Sequence, residues 1–444
     1  MSFPKYPEYK DSGVEWLGEV PGHWAVAAVA HRYEVLLGKM LDEKRITGDH
    51  LAPYLRNVDV QWDRIAIDDL PQMDFAGGDL DRFRLVAGDL MVCEGGEVGR
   101  AALWRDELPE CYYQKALHRL RPRESDRDVS RFMFYVLRMA TGRGVFDASG
   151  GKSTIAHLPA EALRRFRFAY PPSNEQSLVA TFLNRETVKI DALVEEQQRL
   201  IVLLKEKRQA VISQAVTKGL DPNVPMKDSG VEWLGKVPVH WDVAALNFRY
   251  EVMLGKMLDE KRVSGDHLAP YLRNVDVQWD RINTDDLPQM DFTGDDFRRY
   301  GLVPGDLLVC EGGDVGRAAI WQGEVSECFY QKALHRLRRR DVTKDKARFM
   351  FYILRMATSL GVFEAGGGKS TIAHLTAEAL RRYRFAFPHG AEQEEIAAFL
   401  DNKTSALDAL VAEAESASRL LQERRAALIS AAVTGKIDVR GLAA

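Results

Sequence analysis

The stretch HLAPYLRNVDVQWDRI occupies His50–Ile65 and recurs, letter for letter, at His267–Ile282. The two copies lie 217 residues apart (267 − 50). Other anchors keep that spacing on both sides. DSGVEWLG begins at Asp11 and Asp228, LGKMLDEKR at Leu37 and Leu254, YQKALHRLR at Tyr113 and Tyr330, and GGKSTIAHL at Gly150 and Gly367. The register never slips, so no net insertion separates the anchors. Between Glu34 and Ile65 only three positions differ from the second copy: Leu36/Met253, Ile46/Val263 and Thr47/Ser264. A fixed long period means that one architecture is built twice. With 444 residues, each copy is long enough for its own core.

Each copy has two parts of different character. The first part, expected over 1–172 and again over 220–389, mixes short apolar runs with Gly, Pro and Asp punctuation. RLVAGDLMVCEGG reads as turn, buried strand and turn, and PYLRNVDV and KALHRLRP read as strands. RFMFYVLRMAT has helical spacing and reads as one amphipathic helix. The fold class expected is therefore mixed α/β (α+β). The second part, over 173–219 and again over 390–438, carries a sustained 3.5-residue period. Leu183, Thr187, Ile190, Val194, Gln197, Ile201, Leu204, Arg208, Val211 and Ala215 alternate steps of four and three, and Leu400 to Ala432 repeat the pattern. That is the coiled-coil signature, and the nearest partner for one stripe is the other copy's stripe. Ser173 with Gln176 fits a capping box, Gly219 and Gly435 fit helix stops, and Gly390 is a weaker cap. Gln197, Arg208 and Arg425 put polar groups into the seam.

Composition is that of an ordinary soluble protein, 46% hydrophobic and 28% charged. The net charge of −4 neither supports nor forbids a nucleic-acid partner, because a basic face can coexist with acidic helices. No secretory leader and no membrane span is read, so a cytoplasmic protein is expected. The four cysteines, Cys93, Cys111, Cys310 and Cys328, form no metal-ligand spacing and read as buried thiols. Gly150-Gly151-Lys152-Ser153-Thr154 looks like a phosphate loop but fails the nucleotide-binding pattern, which needs Gly where Phe146 and Phe363 stand. The tetrapeptide of adenine methylation, helicase motifs and dinucleotide fingerprints are not found, so no catalytic residues, no metal and no cofactor are expected.

At this point the chain resembles the specificity subunits of Type I restriction–modification enzymes. The resemblance is carried by PPSNEQSLVATFLNRETVKIDALVEEQQRLIVLLKEKRQAVISQAVTKG, from Pro171 to Gly219, and by YKDSGVEWLGEVPGHW, from Tyr9 to Trp24. The second boundary, FPHGAEQEEIAAFL, has His389 in place of the second proline but keeps Glu392-Gln393. The resemblance implies two target-recognition domains, each reading one half of a split site in double-stranded DNA. It also implies two long antiparallel coiled-coil helices that space those domains and dock DNA methyltransferase subunits, with ATP-dependent translocase–nuclease subunits joining the complex. Near-identical domains imply an inverted-repeat target. Two other classes compete: a coiled-coil scaffold indifferent to DNA sequence, and a fused modification enzyme.

Base reading needs side chains with paired donors or acceptors, whereas Lys and backbone amides suit phosphates. The candidate DNA-contacting residues are Lys39, Arg56, Asn57, Gln61, Arg64, Gln114, Lys115, Lys152, Ser153 and Thr154. Their repeats are Lys256, Arg273, Asn274, Gln278, Arg281, Gln331, Lys332, Lys369, Ser370 and Thr371. Lys39 and Lys256 read as flexible ammonium groups on a Gly-Lys loop. His118 and Arg119 accompany Gln114-Lys115, and Glu94 and Glu97 are acceptors suited to cytosine.

Overall fold

A computed structural model describes residues 3–40, 47–146, 157–257, 265–365 and 374–442. The chain divides into two compact units, Met1–Gln198 with Ser416–Ala444, and Arg199–Glu415. Each unit takes a globular head from one copy and helix segments from both. No helix among the described residues is long and apolar enough to cross a membrane.

In the first unit the head is built on an antiparallel sheet of four strands, ordered Ala101–Leu103, Leu90–Cys93, Leu117–Pro122, Tyr33–Leu37. The register sets Leu120 between Val35 and Leu90, so one face is continuously apolar. The expected turn before the Leu90 strand is present. Gly88 sits at φ +90° and its N–H meets the Trp104 carbonyl at 2.8 Å. A second sheet pairs Leu51–Leu55 antiparallel with Gln72–Asp74 and parallel with Tyr112–Tyr113. The Leu51 strand is shorter than its sequence suggests, because Asn57–Asp59 close into a 3-10 turn. The helix Ser130–Gly142 is amphipathic as expected, with Ser130, Arg131, Arg138, Thr141 and Gly142 on its less buried side. Phe132 to Leu137 are all buried, so the apolar side packs deeply into the core. Each such apolar side chain contributes roughly 1.5–3 kcal/mol on burial. The second unit repeats these elements, with sheet order Tyr250–Leu254, Leu334–Arg339, Leu307–Cys310, Ala318–Ile320 and the core helix Ala347–Ser359.

The long helices run Ser173–Lys218 and Gly390–Val433. Every seam position from Leu183 to Ala215, and from Leu400 to Ala432, is buried or half-buried. In the first unit Asp191 pairs with Arg425 at 2.7 Å, and Arg185 Nη2 donates to the Leu442 carbonyl at 2.6 Å, so the segments run antiparallel. In the second unit Arg208 meets Asp408 at 3.1 Å. The arginines of the seam are thus ion-paired across it, each with the repeat of the other's partner.

The expected capping box is not formed. Gln176 is fully buried and its side chain leaves the helix. Oε1 accepts from the Val129 N–H at 2.9 Å, and Nε2 donates to the carbonyls of Arg127 and Pro171 at 3.1 and 2.9 Å. Its neighbour Glu175 accepts from Tyr6 Oη at 2.5 Å and Trp24 Nε1 at 3.0 Å, and meets His23 Nε2 at 2.8 Å. Glu392 repeats this with Trp241 and His240, and Gln393 with Lys346, Lys344 and Pro388. The Glu-Gln pair therefore locks each long helix to its head. His389 replaces proline without loss, because its Nδ1 accepts the Glu392 N–H at 3.3 Å and caps the helix. Both expected stops hold: Gly219 and Gly435 lie at φ +75° and +72°.

Candidate nucleic-acid interface

The motif that opens the sequence folds into a braced turn. Arg56 donates Nε to Asp59 Oδ2 at 2.9 Å and Nη2 to Asp59 Oδ1 at 2.8 Å, and Nη2 also reaches the Asp69 carbonyl at 2.9 Å. The Asp59 carboxylate holds the guanidinium above its ordinary pKa. Asn57 donates its amide to the carbonyls of Gly95 and Ala116 at 3.1 and 3.2 Å, and accepts from Arg100 Nη2 at 3.1 Å. Gln61 Nε2 donates to the Val58 carbonyl at 2.9 Å. Arg273, Asn274 and Gln278 repeat every one of these bonds, with Asp276, Gly312, Ala333, Arg317 and Val275.

A backbone ladder brings the other candidates to this turn. Lys39 and Gln114 bridge in parallel, Gln114 N–H donates to Leu55, and Lys115 N–H donates to Lys39 at 2.7 Å. The crowding leaves no room at Gly38, where a Cβ would come within 2.2 Å of the Gln114 carbonyl oxygen. Ala116 sits at φ +91° and Ala333 at +95°, a conformation costly for alanine. The Ala116 carbonyl is held by both Asn57 and the Glu94 N–H. A strained residue kept identical in both units, directly after Gln114-Lys115, is a feature that composition alone does not reveal.

The candidates divide by exposure and partner. Lys39 is no free ammonium. Its Nζ donates to the Asp74 carbonyl at 2.5 Å and pairs with Asp79 at 2.9 Å, and Lys256 does the same with Asp291 and Asp296. Arg56, Asn57 and their repeats are scaffold groups whose polar atoms are engaged within the protein. Gln61, Arg64 and Lys115, with Gln278, Arg281 and Lys332, are exposed. Arg64, Lys115, Arg281 and Lys332 have no side-chain partner among the described residues, and neither have the half-buried Gln114 and Gln331. Lys152, Ser153, Thr154, Lys369, Ser370 and Thr371 lie outside the described residues.

Several companion expectations give way. His118 and Arg119 are buried. The His118 Nε2–H donates to the Leu158 carbonyl at 2.7 Å and burial pulls its pKa down, so the ring is a neutral core group. Arg119 serves the carbonyls of Arg82 and Arg84 and pairs with Glu34. Glu94 is buried and pairs with His157, and Glu97 accepts from Trp62 Nε1 at 2.7 Å. Sequence reading missed Arg131, which ties the hairpin to the long helix by bonding both Asp63 and Asn184. Its repeat Arg348 joins Asp280 to Asp401.

Comparison with known proteins fits this arrangement. Residues 298–415 match the family described as Type I restriction modification DNA specificity domain. Over 138 residues the chain is 30% identical to the Type I restriction enzyme EcoBI specificity subunit of Escherichia coli, a match covering 31% of this chain and 28% of that relative. The matched segment thus spans little more than a quarter of the relative's length. Along the whole chain the fold recurs in a solved chain of the type I R-M system, studied for its complex assembly and conformational transition. The TM-score is 0.66 at 16% identity, over 93% of this chain and 98% of that one. It recurs also in the HsdS subunit from Thermoanaerobacter tengcongensis, with TM-score 0.55, 15% identity and 94% and 98% coverage. Residues 298–415 therefore resemble a Type I DNA specificity domain, and the chain as a whole shares the fold of the two solved chains. The internal repeat relates the matched segment to the first copy. Subtracting 217 from 298–415 gives 81–198, the segment of the first copy that repeats the matched residues.

Proposed function

We propose that this chain, as a specificity subunit, reads a split target in double-stranded DNA, one half-site for each head, over 1–172 and 220–389. The observation that carries the reading is that residues 298–415 match a Type I DNA specificity domain within a chain whose 217-residue repeat builds the same braced turn in both units. Arg64, Lys115 and their repeats supply exposed cations with no side-chain partner among the described residues, suited to phosphates, while the rigid turn supplies a fixed edge for a groove. The two heads have nearly the same sequence, and the helix segments are exchanged reciprocally between copies. The half-sites are therefore the same and inverted.

The chain performs no chemistry of its own in this reading. The long helices, over 173–219 and 390–438, dock DNA methyltransferase subunits, and ATP-dependent translocase–nuclease subunits complete the assembly in the cytoplasm. Support comes from the outer faces of the helices, where Val188, Leu193, Val202, Leu203, Leu410 and Leu420 are exposed.

The test is competition binding of the full chain, with its methyltransferase subunits, to duplex pools at several salt concentrations. One bipartite sequence outcompetes random duplex by about 10³-fold or more, with affinity falling steeply as salt rises. A scaffold indifferent to DNA gives no sequence preference and a flat salt response. A fused modification enzyme methylates DNA without added subunits.

A further inference from the structure

At the apex of the braced turn stands an apolar side chain. Val58 is 66% exposed and Val275 65%. Isolated exposed valines are ordinary and need no function. What sets this one apart is its mounting. Arg56, Asn57 and Asp59 bond their polar atoms to each other, to Arg100 or to backbone, and the exposed Gln61 bonds the turn through Nε2, in both units. Gln61 bonds the Val58 carbonyl itself. A β-branched side chain adds a stiff χ1 to a fixed backbone. The turn thus presents a rigid isopropyl group, flanked by exposed Arg64 and Lys115, where polar base readers were expected.

Among the four bases only thymine shows a projecting apolar group in the major groove, its 5-methyl. We infer that Val58 and Val275 are specificity-determining residues, each seated on the 5-methyl group of one thymine in its half-site. The inference rests on the proposed DNA-reading function and narrows it. The flanking cations set the register on the backbone, and the valines select an A·T pair in a defined orientation.

The experiment replaces thymine by deoxyuridine, one symmetric pair of positions at a time, in the duplex that the methyltransferase-bound protein prefers. Deoxyuridine removes the methyl group and keeps the pairing. One position in each half-site weakens binding roughly fourfold per half-site, the effect of one buried methyl-sized group. The Val58→Ala, Val275→Ala double variant binds the thymine duplex more weakly by a similar factor and no longer distinguishes deoxyuridine at that position. Its melting temperature stays that of the parent, because both side chains are exposed. Half-sites without an A·T pair, no sensitive position, or a variant that keeps full sensitivity would each overturn the inference while leaving sequence-specific binding intact. Loss of all sequence preference in the parent protein would overturn the DNA-reading function as well.

Discussion

Asn57 and Asn274 look like adenine readers in the sequence, yet their amides bond the Gly95 and Ala116 carbonyls and their repeats. They are positioning residues that hold a strained alanine and the turn beside it. Replacing both by Ala leaves half-buried carbonyls without these donors and costs about 1 kcal/mol at each site. Chemical unfolding of the double variant is expected to show that loss, together with weakened DNA binding. Lost binding with unchanged stability would instead make the amides direct base contacts. The motif is visible in the sequence, but the direction in which its side chains face is not. The Arg56–Asp59 pair was within reach, since three-residue spacing in one turn brings those groups together. The Lys39–Asp79 pair was not, because nothing local links those positions. The same limit hid the clasp of His23 and Trp24 on Glu175, although both strings had been singled out separately.

The long helices are the elements most legible in the sequence. The four-and-three spacing of apolar residues predicts the seam, and every seam position lies away from solvent. The polar seam residues needed the fold, because Arg208 and Arg425 find partners 200 and 234 residues away. In the first unit Arg138 lies near the Asp191–Arg425 pair, and its pKa is pushed down to about 10 by burial and by the Arg425 charge. Asp191 there serves two guanidinium groups, with Asp63 a weaker influence on Arg138. Asp191→Asn is expected to destabilise by about 1 kcal/mol, a modest figure because Asp191 is half exposed. Adding Arg138→Gln should recover part of that loss by removing the like charge. A denaturant double-mutant cycle measures the coupling, and strictly additive losses would contradict the shared-charge picture.

At the scale of the molecule, duplication is the fact from which the rest follows. A linear reading divides the chain into head, helix, head and helix. The compact units cut across that order, because each joins one head to helix segments from both copies. The sequence could not show this, since periodicity identifies a stripe but not the depth to which each partner covers it. The pairing also explains why the two seam ion pairs are repeats of each other with donor and acceptor copies exchanged. Under the proposed function, such reciprocal exchange between two like-sequenced heads predicts a target that reads the same from either strand. The most direct test is to map methylated bases across DNA from cells that express this chain with its methyltransferase subunits. One bipartite motif, whose second half-site is the reverse complement of the first across an unread spacer, is the predicted result. Two unrelated half-sites, or methylation with no motif, would contradict it.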